Sequence, residues 1–242
     1  MGKRFSVDND DIPEVEKPVK LISITPDSEK LVAYCARVSS NQQDNPSISK
    51  LLRYCIKHKH WSPFEMVDMC LEIKTSRAIA AQILRHRSFS FQEFSQRYSN
   101  ATNLEDITWR LQGKTNRQVG EETYYLDDVN QDIIDQHLKL STTLYNDLID
   151  KGVAKECARM ILPLCTETTM YMKGSIRSWV HYIDLRSKED TQQEHRDIAF
   201  QIGTILAIEL PIVTKALALE ASQDPEESPL RGWLSIHPLP KD

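Results

Sequence analysis

The sequence predicts a mixed α+β fold, because stretches with two different hydrophobic periods occur along its 242 residues. Residues 19–25 and 64–74 alternate apolar and polar side chains, as half-buried strands do. Residues 127–151 and 190–221 instead place apolar side chains at helical spacing. With 40% hydrophobic and 27% charged residues, the chain has the composition of a globular protein with its own core.

Caps and breakers mark where the predicted elements begin and end. Asn45 and Ser175 are expected to cap helices, Gly152 to end one and Pro211 to break another. The predicted elements are strands at 19–25, 64–74, 107–111 and 166–172, and helices at 26–38, from 46 onward, and at 77–87, 127–151, 154–161, 175–185 and 190–221. We expect one domain at 19–222, between a flexible polar arm at 1–18 and an irregular, proline-containing tail at 223–242.

Glycine and cysteine counts exclude several kinds of site. None of the seven glycines has the spacing of a Rossmann turn or a P-loop, so any phosphate must be bound by side chains. The five cysteines form no C-x-x-C pair, and His58 and His60 alone are a weak ligand set, so no metal is expected. A net charge of -5 argues against a nucleic-acid coat protein. We expect a cytoplasmic protein without membrane contact.

Residues 85–99 are the densest polar stretch, with three arginines and one glutamate in a chain of net charge -5. Arginines at a helix C-terminus can simply complement the helix dipole. Their planar forks also suit a phosphate or a carboxylate. A third reading is a single-stranded nucleic-acid-binding module, because aromatic side chains that stack bases alternate with arginines at 85–98.

Five segments, in order, resemble flavin-dependent thymidylate synthases. Arg85-His86-Arg87, followed after seven residues by Ser95-Gln96-Arg97-Tyr98, resembles the signature motif of that family. The other four segments are 58–65, Arg159 to Pro163, the block from Ser175 to Arg186, and Gln192-Gln193-Glu194. The match covers roughly residues 31–205.

This resemblance implies the reductive methylation of dUMP to dTMP. Methylenetetrahydrofolate would be the carbon donor, and FAD, reduced by NADPH, would mediate methylene and hydride transfer. The family fold is a central antiparallel or mixed sheet flanked by long helices. Family members are homotetramers with active sites at subunit interfaces, so side chains scattered along this chain are expected to meet across those interfaces.

The resemblance also assigns roles to individual residues. Arg186 is expected to be the catalytic residue, polarising or ionising the uracil. The expected dUMP-binding residues are Gln82, Ile83, Leu84, Arg85, Glu93, Phe94, Ser95, Gln96, Arg97, Arg159 and Arg186. The expected FAD-binding residues are His60, Ser62, Arg85, His86, Arg87, Ser175, Ile176, Arg177 and His181.

Three positions depart from common forms of the family. Gln92, Ser175 and His181 stand where many members have asparagine. Each replacement keeps a hydrogen-bonding side chain, so the site is expected to survive. A protein that keeps the family fold and has lost activity is the remaining alternative, which turnover of dUMP would separate from an active enzyme.

Overall fold

An antiparallel sheet forms the centre of the computed structural model, which describes residues 18–98, 102–223 and 232–233. The strands are β1 (Val19–Ile24), β2 (Asp68–Ser76), β3 (Ser90–Glu93), β4 (Arg110–Gln112), β5 (Gly120–Thr123) and β6 (Glu167–Ser175). Four of them make the sheet, in the order β1-β2-β6-β3, and every neighbouring pair is antiparallel. Strands β4 and β5 form a separate ribbon. The predicted mixed α+β class with an antiparallel central sheet is confirmed.

Helices follow each of the two long central strands and cover the sheet. They are α1 (Ser28–Ala36), α2 (Ser49–Lys57), α3 (Arg77–Ile83), α4 (Asp128–Asp150), α5 (Lys155–Ala158), α6 (Ile176–Arg186), α7 (Gln193–Glu209) and α8 (Pro211–Gln223). Short 3-10 helices occupy Ser62–Met66 and Arg159–Ile161. Helices α7 and α8 meet at a bend of 118°. The predicted break at Pro211 is thereby confirmed.

One face of the sheet carries most of the core. The alternate residues Met69, Leu71 and Ile73 of β2 are fully buried, whereas Glu72 between them is only half-buried. Burial of each such side chain contributes about 1.5–3 kcal/mol. Trp179 of α6 lies against this face and donates from Nε1 to the Met69 carbonyl over 3.0 Å. The sheet thereby fixes the position of α6.

Several predicted helix ends are confirmed. The Asp127 carboxylate accepts from the Asn130 amide over 2.8 Å at the start of α4. After its C-terminus, Gly152 adopts a φ of 81°, a conformation that glycine reaches without strain. Ser175 caps α6 by accepting from the Ser178 amide over 3.3 Å.

The start of α2 was predicted wrongly. Helix α2 begins at Ser49 with Ile48 as its N-cap, not after Asn45. The Asn45 side chain instead accepts from the Ser47 amide over 2.8 Å, closing a local turn. Arg37 donates to the carbonyls of both residues, which holds the segment outside the helix.

Two boundaries near the polar stretch also differ from expectation. Strand β2 begins at Asp68, because residues from Ser62 to Met66 form a 3-10 helix. Helix α3 ends at Ile83, so Arg85 and the two residues after it lie beyond the helix rather than inside it. Strand β3, which pairs with β6, lies within the polar stretch at 85–99, where no strand is among the predicted elements.

The predicted arm at 1–18 and tail at 223–242 lie outside the described residues, except for Pro18, Gln223 and 232–233. Trp233 donates from Nε1 to the Phe200 carbonyl of α7 over 2.9 Å. Within the described ranges, no single helix is long and apolar enough to cross a membrane, although the bent pair α7 and α8 passes by length and composition.

Candidate active site

Two strands of the sheet lead directly into the helices of the candidate site, with no loop between them. Ser76, the last residue of β2, precedes α3, and Ser175, the last residue of β6, precedes α6. Both serines have extended backbone angles, with ψ of 158°. Extended residues pass directly into a helix at an N-cap position. The sheet therefore positions both helices directly.

Arg186 and His86 form the central pair of the site. The Arg186 Nε donates to His86 Nε2 over 2.9 Å, between the end of α6 and the turn after α3. Burial, together with the positive charge of Arg186 and with His181, lowers the pKa of His86 to about 4. His86 is therefore neutral near pH 7, with an unprotonated Nε2 that accepts from the guanidinium. This bond fixes the guanidinium orientation.

Tyr182 and His195 lie behind this pair in the core. Both are wholly buried, and Tyr182 Oη lies 2.9 Å from His195 Nε2. The His86 ring packs edge-on against Tyr182, with 4.8 Å between centroids. Burial, with the charges of Arg186 and His86, lowers the pKa of His195 to about 3, and burial raises the pKa of Tyr182. The resemblance did not point to either residue, and no sequence pattern marks them.

Gln82 is joined to this group by a hydrogen-bonded chain. Its Oε1 lies 3.4 Å from His195 Nδ1, and its Nε2 donates to Gln192 Oε1 over 2.7 Å. Gln192 Nε2 donates to Glu194 Oε2 over 3.0 Å. Arg110, from β4, donates to the other oxygen of Glu194. The structure thus brings together Gln82, His86 and Arg186 of the predicted site.

A second group of predicted residues lines a cleft of about 460 Å³ beside α6. Glu65 accepts from Ser175 Oγ over 2.5 Å and from Arg177 Nη1 over 2.9 Å. His181 also lines this cleft. Glu65 was not among the predicted site residues, although it ends the 58–65 segment of the family resemblance. Its carboxylate holds Ser175 and Arg177 in place.

The remaining arginines are more exposed. Arg85 and Arg87 are exposed and Arg159 is half-buried, and within the described ranges none of the three side chains has a hydrogen bond or an ion pair. Arg97 Nε lies 3.8 Å from Glu156 Oε2, with both side chains mostly exposed. Such a pair is worth about 0–1 kcal/mol, so the Arg97 fork remains available for an anion.

Four predicted dUMP-binding residues have structural surroundings that restrict their roles. Ile83 is fully buried, so its side chain belongs to the core. Glu93 accepts from Arg77 over 2.8 Å and from Thr168 over 3.1 Å. Gln96 is buried, and its Nε2 has no hydrogen-bond partner. Leu84 is 39% exposed.

Two more residues near Arg97 complete the predicted dUMP set. The Phe94 carbonyl accepts from Arg77 Nη2 over 3.0 Å, which holds its backbone in place. Ser95 Oγ accepts from the Arg97 amide over 3.4 Å. These contacts order the segment that carries Arg97.

The three remaining predicted FAD-binding residues differ in exposure. Ile176 is fully buried, so only its backbone could reach a ligand. His60 and Ser62 are exposed at the surface. The His60 ring lies near Tyr54, with 5.8 Å between centroids.

Phe89 is a core residue rather than a base-stacking platform. It is only 9% exposed and packs edge-on against Trp179, with 4.7 Å between centroids. Its ring lies against Gly174, where any Cβ would collide with it. This packing anchors the turn that carries Arg85 and Arg87. Among the described residues, no group of three or more His, Cys, Asp or Glu side chains could hold a metal ion.

Comparisons with known proteins identify similar sequences. Residues 20–212 match the family described as thymidylate synthase complementing protein. The flavin-dependent thymidylate synthase of Synechocystis sp. is 53% identical over 193 residues, which cover 78% of this chain and 89% of that protein. The probable flavin-dependent thymidylate synthase of Paramecium bursaria Chlorella virus 1 is 51% identical over 211 residues, which cover 82% and 97%.

A solved structure has a similar fold. The UMP/dUMP methylase PolB from Streptomyces cacaoi, bound with 5-Br dUMP, superposes with a TM-score of 0.71 at 25% sequence identity. The match covers 83% of this chain and 94% of that chain. Together with the family match and the two relatives, this likeness confirms the resemblance of the five sequence segments: the chain belongs to the flavin-dependent thymidylate synthase family.

Proposed function

We propose that this protein methylates dUMP to dTMP with FAD as its flavin, NADPH as the reductant and methylenetetrahydrofolate as the carbon donor. The dUMP to dTMP reaction and its dependence on a flavin follow from membership of the family. The assignment of residues rests on the contacts described above. The observation that carries it is the Arg186–His86 pair, a guanidinium held in one orientation by a neutral imidazole.

Arg186 acts on the uracil ring in this proposal. Its Nε is used by His86, which leaves the two terminal nitrogens of the fork for a ligand. Donors aimed at a uracil carbonyl or at N3 stabilise the negative charge that develops when the ring is activated. Because His86 is neutral near pH 7, it orients this cation without repelling it.

The nucleotide phosphate is bound by Arg97, with Arg159 and the backbone around Ser95. Arg97 lies near Glu156, one helical turn before Arg159, so the two arginines belong to the same part of the surface. Two planar forks can bind one phosphate through paired hydrogen bonds. Gln82, next to His86, contributes to base binding.

The donor chemistry of the cleft beside α6 fits FAD. Arg177 offers a cationic fork, and Ser178 and His181 offer neutral hydrogen-bonding groups, which suit a diphosphate and a ribose, while Glu65 in the same lining holds Arg177. Ser62 and the exposed Arg85 and Arg87 add further donors. When bound, FAD supplies the redox chemistry that the chain lacks. The chain itself binds, orients and shields the reactants.

A homotetramer would complete the site. Helix α4 presents an exposed apolar stripe made of Val129, Ile133, Leu140 and Leu144. These positions fall on one helical face, and a stripe of this size on a surface helix marks an interaction surface. A neighbouring copy of the chain is the occupant we propose, which would bring exposed arginines of one subunit to the cleft of another.

An absorption spectrum under anaerobic conditions tests this function. The purified protein, incubated with FAD, is expected to be yellow and to bleach when NADPH is added. Adding dUMP should change the flavin spectrum, because the nucleotide lies beside the flavin in the proposed site. A colourless protein that does not take up FAD, or a spectrum unaffected by dUMP, would contradict the assignment.

A further inference from the structure

Glu194 sets the direction of the hydrogen-bonded chain that ends at Tyr182. Burial acts to raise the pKa of this carboxyl, but hydrogen bonds from Arg110, from its own backbone and from Gln192 outweigh burial and lower it. An ionised carboxylate can only accept hydrogen bonds. Gln192 must therefore turn its NH₂ group toward Glu194, as its 3.0 Å contact shows.

The orientation of the Gln192 amide in turn determines the orientation of the Gln82 amide. With its NH₂ group on Glu194, Gln192 presents its oxygen to Gln82, which must donate from Nε2 over 2.7 Å. The Gln82 oxygen then faces His195 Nδ1 at 3.4 Å. Flipping either amide would place two NH₂ groups or two carbonyl oxygens face to face, at the cost of a lost, partly buried hydrogen bond.

The hydrogen bonds of His195 and Tyr182 are consistent with this orientation of Gln82. A neutral imidazole donates from one nitrogen and accepts at the other. His195 therefore donates from Nδ1 to Gln82 and accepts at Nε2 from the Tyr182 hydroxyl over 2.9 Å. Both residues are wholly buried, so water does not offer alternative partners. Each proton position from Tyr182 to Glu194 is thus determined.

Gln82 is the member of this chain that belongs to the proposed nucleotide site. It is half-buried, and it joins the same cluster as His86 and Arg186. Uracil and cytosine have the same shape but reversed hydrogen-bonding groups: uracil offers N3–H and O4, and cytosine offers N3 and an NH₂ group. A freely rotating amide satisfies either pattern, whereas an amide held in one orientation satisfies only one.

We propose that Glu194, acting through Gln192, is a positioning residue that holds the Gln82 amide in one orientation and thereby selects uracil over cytosine nucleotides. This inference rests on the proposed function, because it takes Gln82 to be part of the base site. Arg110 assists by holding the carboxylate. Neither Glu194 nor Gln192 needs to touch the nucleotide.

The test compares dUMP and dCMP binding to the FAD-loaded protein by isothermal titration calorimetry. Glu194→Gln keeps the size of the side chain but lets its amide either donate or accept. We expect the ratio of dUMP to dCMP affinity to fall by about tenfold, the worth of roughly one hydrogen bond. Glu189→Gln removes the same charge from an exposed position nearby and should keep the wild-type ratio.

A second variant tests the same inference if Glu194→Gln does not fold. Gln192→Met breaks the series of hydrogen bonds between Glu194 and Gln82 but leaves the Arg110–Glu194 ion pair intact. It should also lower the ratio of dUMP to dCMP affinity. Flavin absorbance and thermal unfolding report whether each variant is folded. Wild-type discrimination in either folded variant, or a wild-type protein that binds dUMP and dCMP equally, overturns the inference. A wild-type protein that binds neither FAD nor dUMP would instead overturn the proposed function.

Discussion

The two sets of arginines proposed for the dUMP site are held very differently. Arg186 is half-buried and bonded to His86, whose surroundings include the fully buried pair Tyr182 and His195. Arg159 has no side-chain hydrogen bond or ion pair within the described ranges, and Arg97 has only a long, exposed contact to a carboxylate. The cation proposed to act on the uracil ring is thus held in one orientation by the protein itself. The cations proposed to hold the phosphate have no comparable support from the protein and are expected to be oriented by the ligand.

The largest expected effect is at the pre-oriented arginine. Arg186→Ala should lower kcat by about 10²–10³-fold, the usual loss when one preorganised donor to developing charge is removed. The Michaelis constant for dUMP should change less, because the phosphate contacts remain. Steady-state kinetics with saturating NADPH and methylenetetrahydrofolate measure both constants.

Arg186→Lys sharpens this prediction. Lysine keeps the charge but offers a compact ammonium without the planar fork. If orientation matters, kcat of the lysine variant should remain well below the wild-type value. A lysine variant with wild-type kcat would show that charge alone suffices at this position.

The next effect concerns the pH dependence of stability. The folded-state pKa values of His86 and His195, about 4 and about 3, lie below the usual value near 6.5. Between pH 6.5 and 4 the unfolded chain therefore binds protons that the folded chain does not, so the free energy of unfolding falls as the pH falls. The loss is about 3 kcal/mol per histidine.

Urea unfolding at a series of pH values measures this loss. His195→Gln should flatten the dependence between pH 6.5 and 4, because one of the two groups no longer titrates. His58→Gln, which changes an exposed histidine, should keep the wild-type slope. Equal slopes for wild type and His195→Gln would show that His195 does not contribute.

The smallest expected effect is at an arginine of the exposed set. Arg97→Ala should raise the Michaelis constant for dUMP by about tenfold, as expected for lost hydrogen bonds to a charged group. The melting temperature should not change, because its exposed contact to Glu156 adds little stability. Arg117→Ala removes the same charge from an exposed loop and serves as the control. An unchanged Michaelis constant for Arg97→Ala would remove Arg97 from the phosphate site.

Much of the fold could be predicted because the deciding signals are local. The period-two pattern at Met69, Leu71 and Ile73 and the glycine that ends α4 each depend on a few neighbouring residues. Strand β3 could not be predicted in this way, because the strand it pairs with in the described structure, β6, lies more than 70 residues later in the sequence. The prediction for Asn45 is wrong because the side chain of Arg37, eight residues earlier, binds the backbone carbonyls of this segment outside any helix.

The residues of the candidate site also differ in whether a local sequence pattern marks them. The family motifs identified Gln82, His86 and Arg186, which the structure brings into one cluster. Tyr182 and His195 could not be predicted as members of the site, because no local sequence pattern distinguishes a buried tyrosine or histidine. Their importance depends on packing between α6 and α7. Whether the motif residues bind as proposed stays a prediction.

Because β2 and β6 pass directly into helices, the length of these strands sets the distance between the two helices of the site. Paired over nine residues in opposite directions, the two strands start α3 and α6 at opposite ends of the sheet, roughly 25–30 Å apart at the strand rise of about 3.3 Å per residue. Removing one residue from β6 would turn each later side chain to the other face and rotate α6 by about 100°. In evolution, length changes should therefore accumulate between 113 and 127, outside the proposed site residues, and be rare in these two strands.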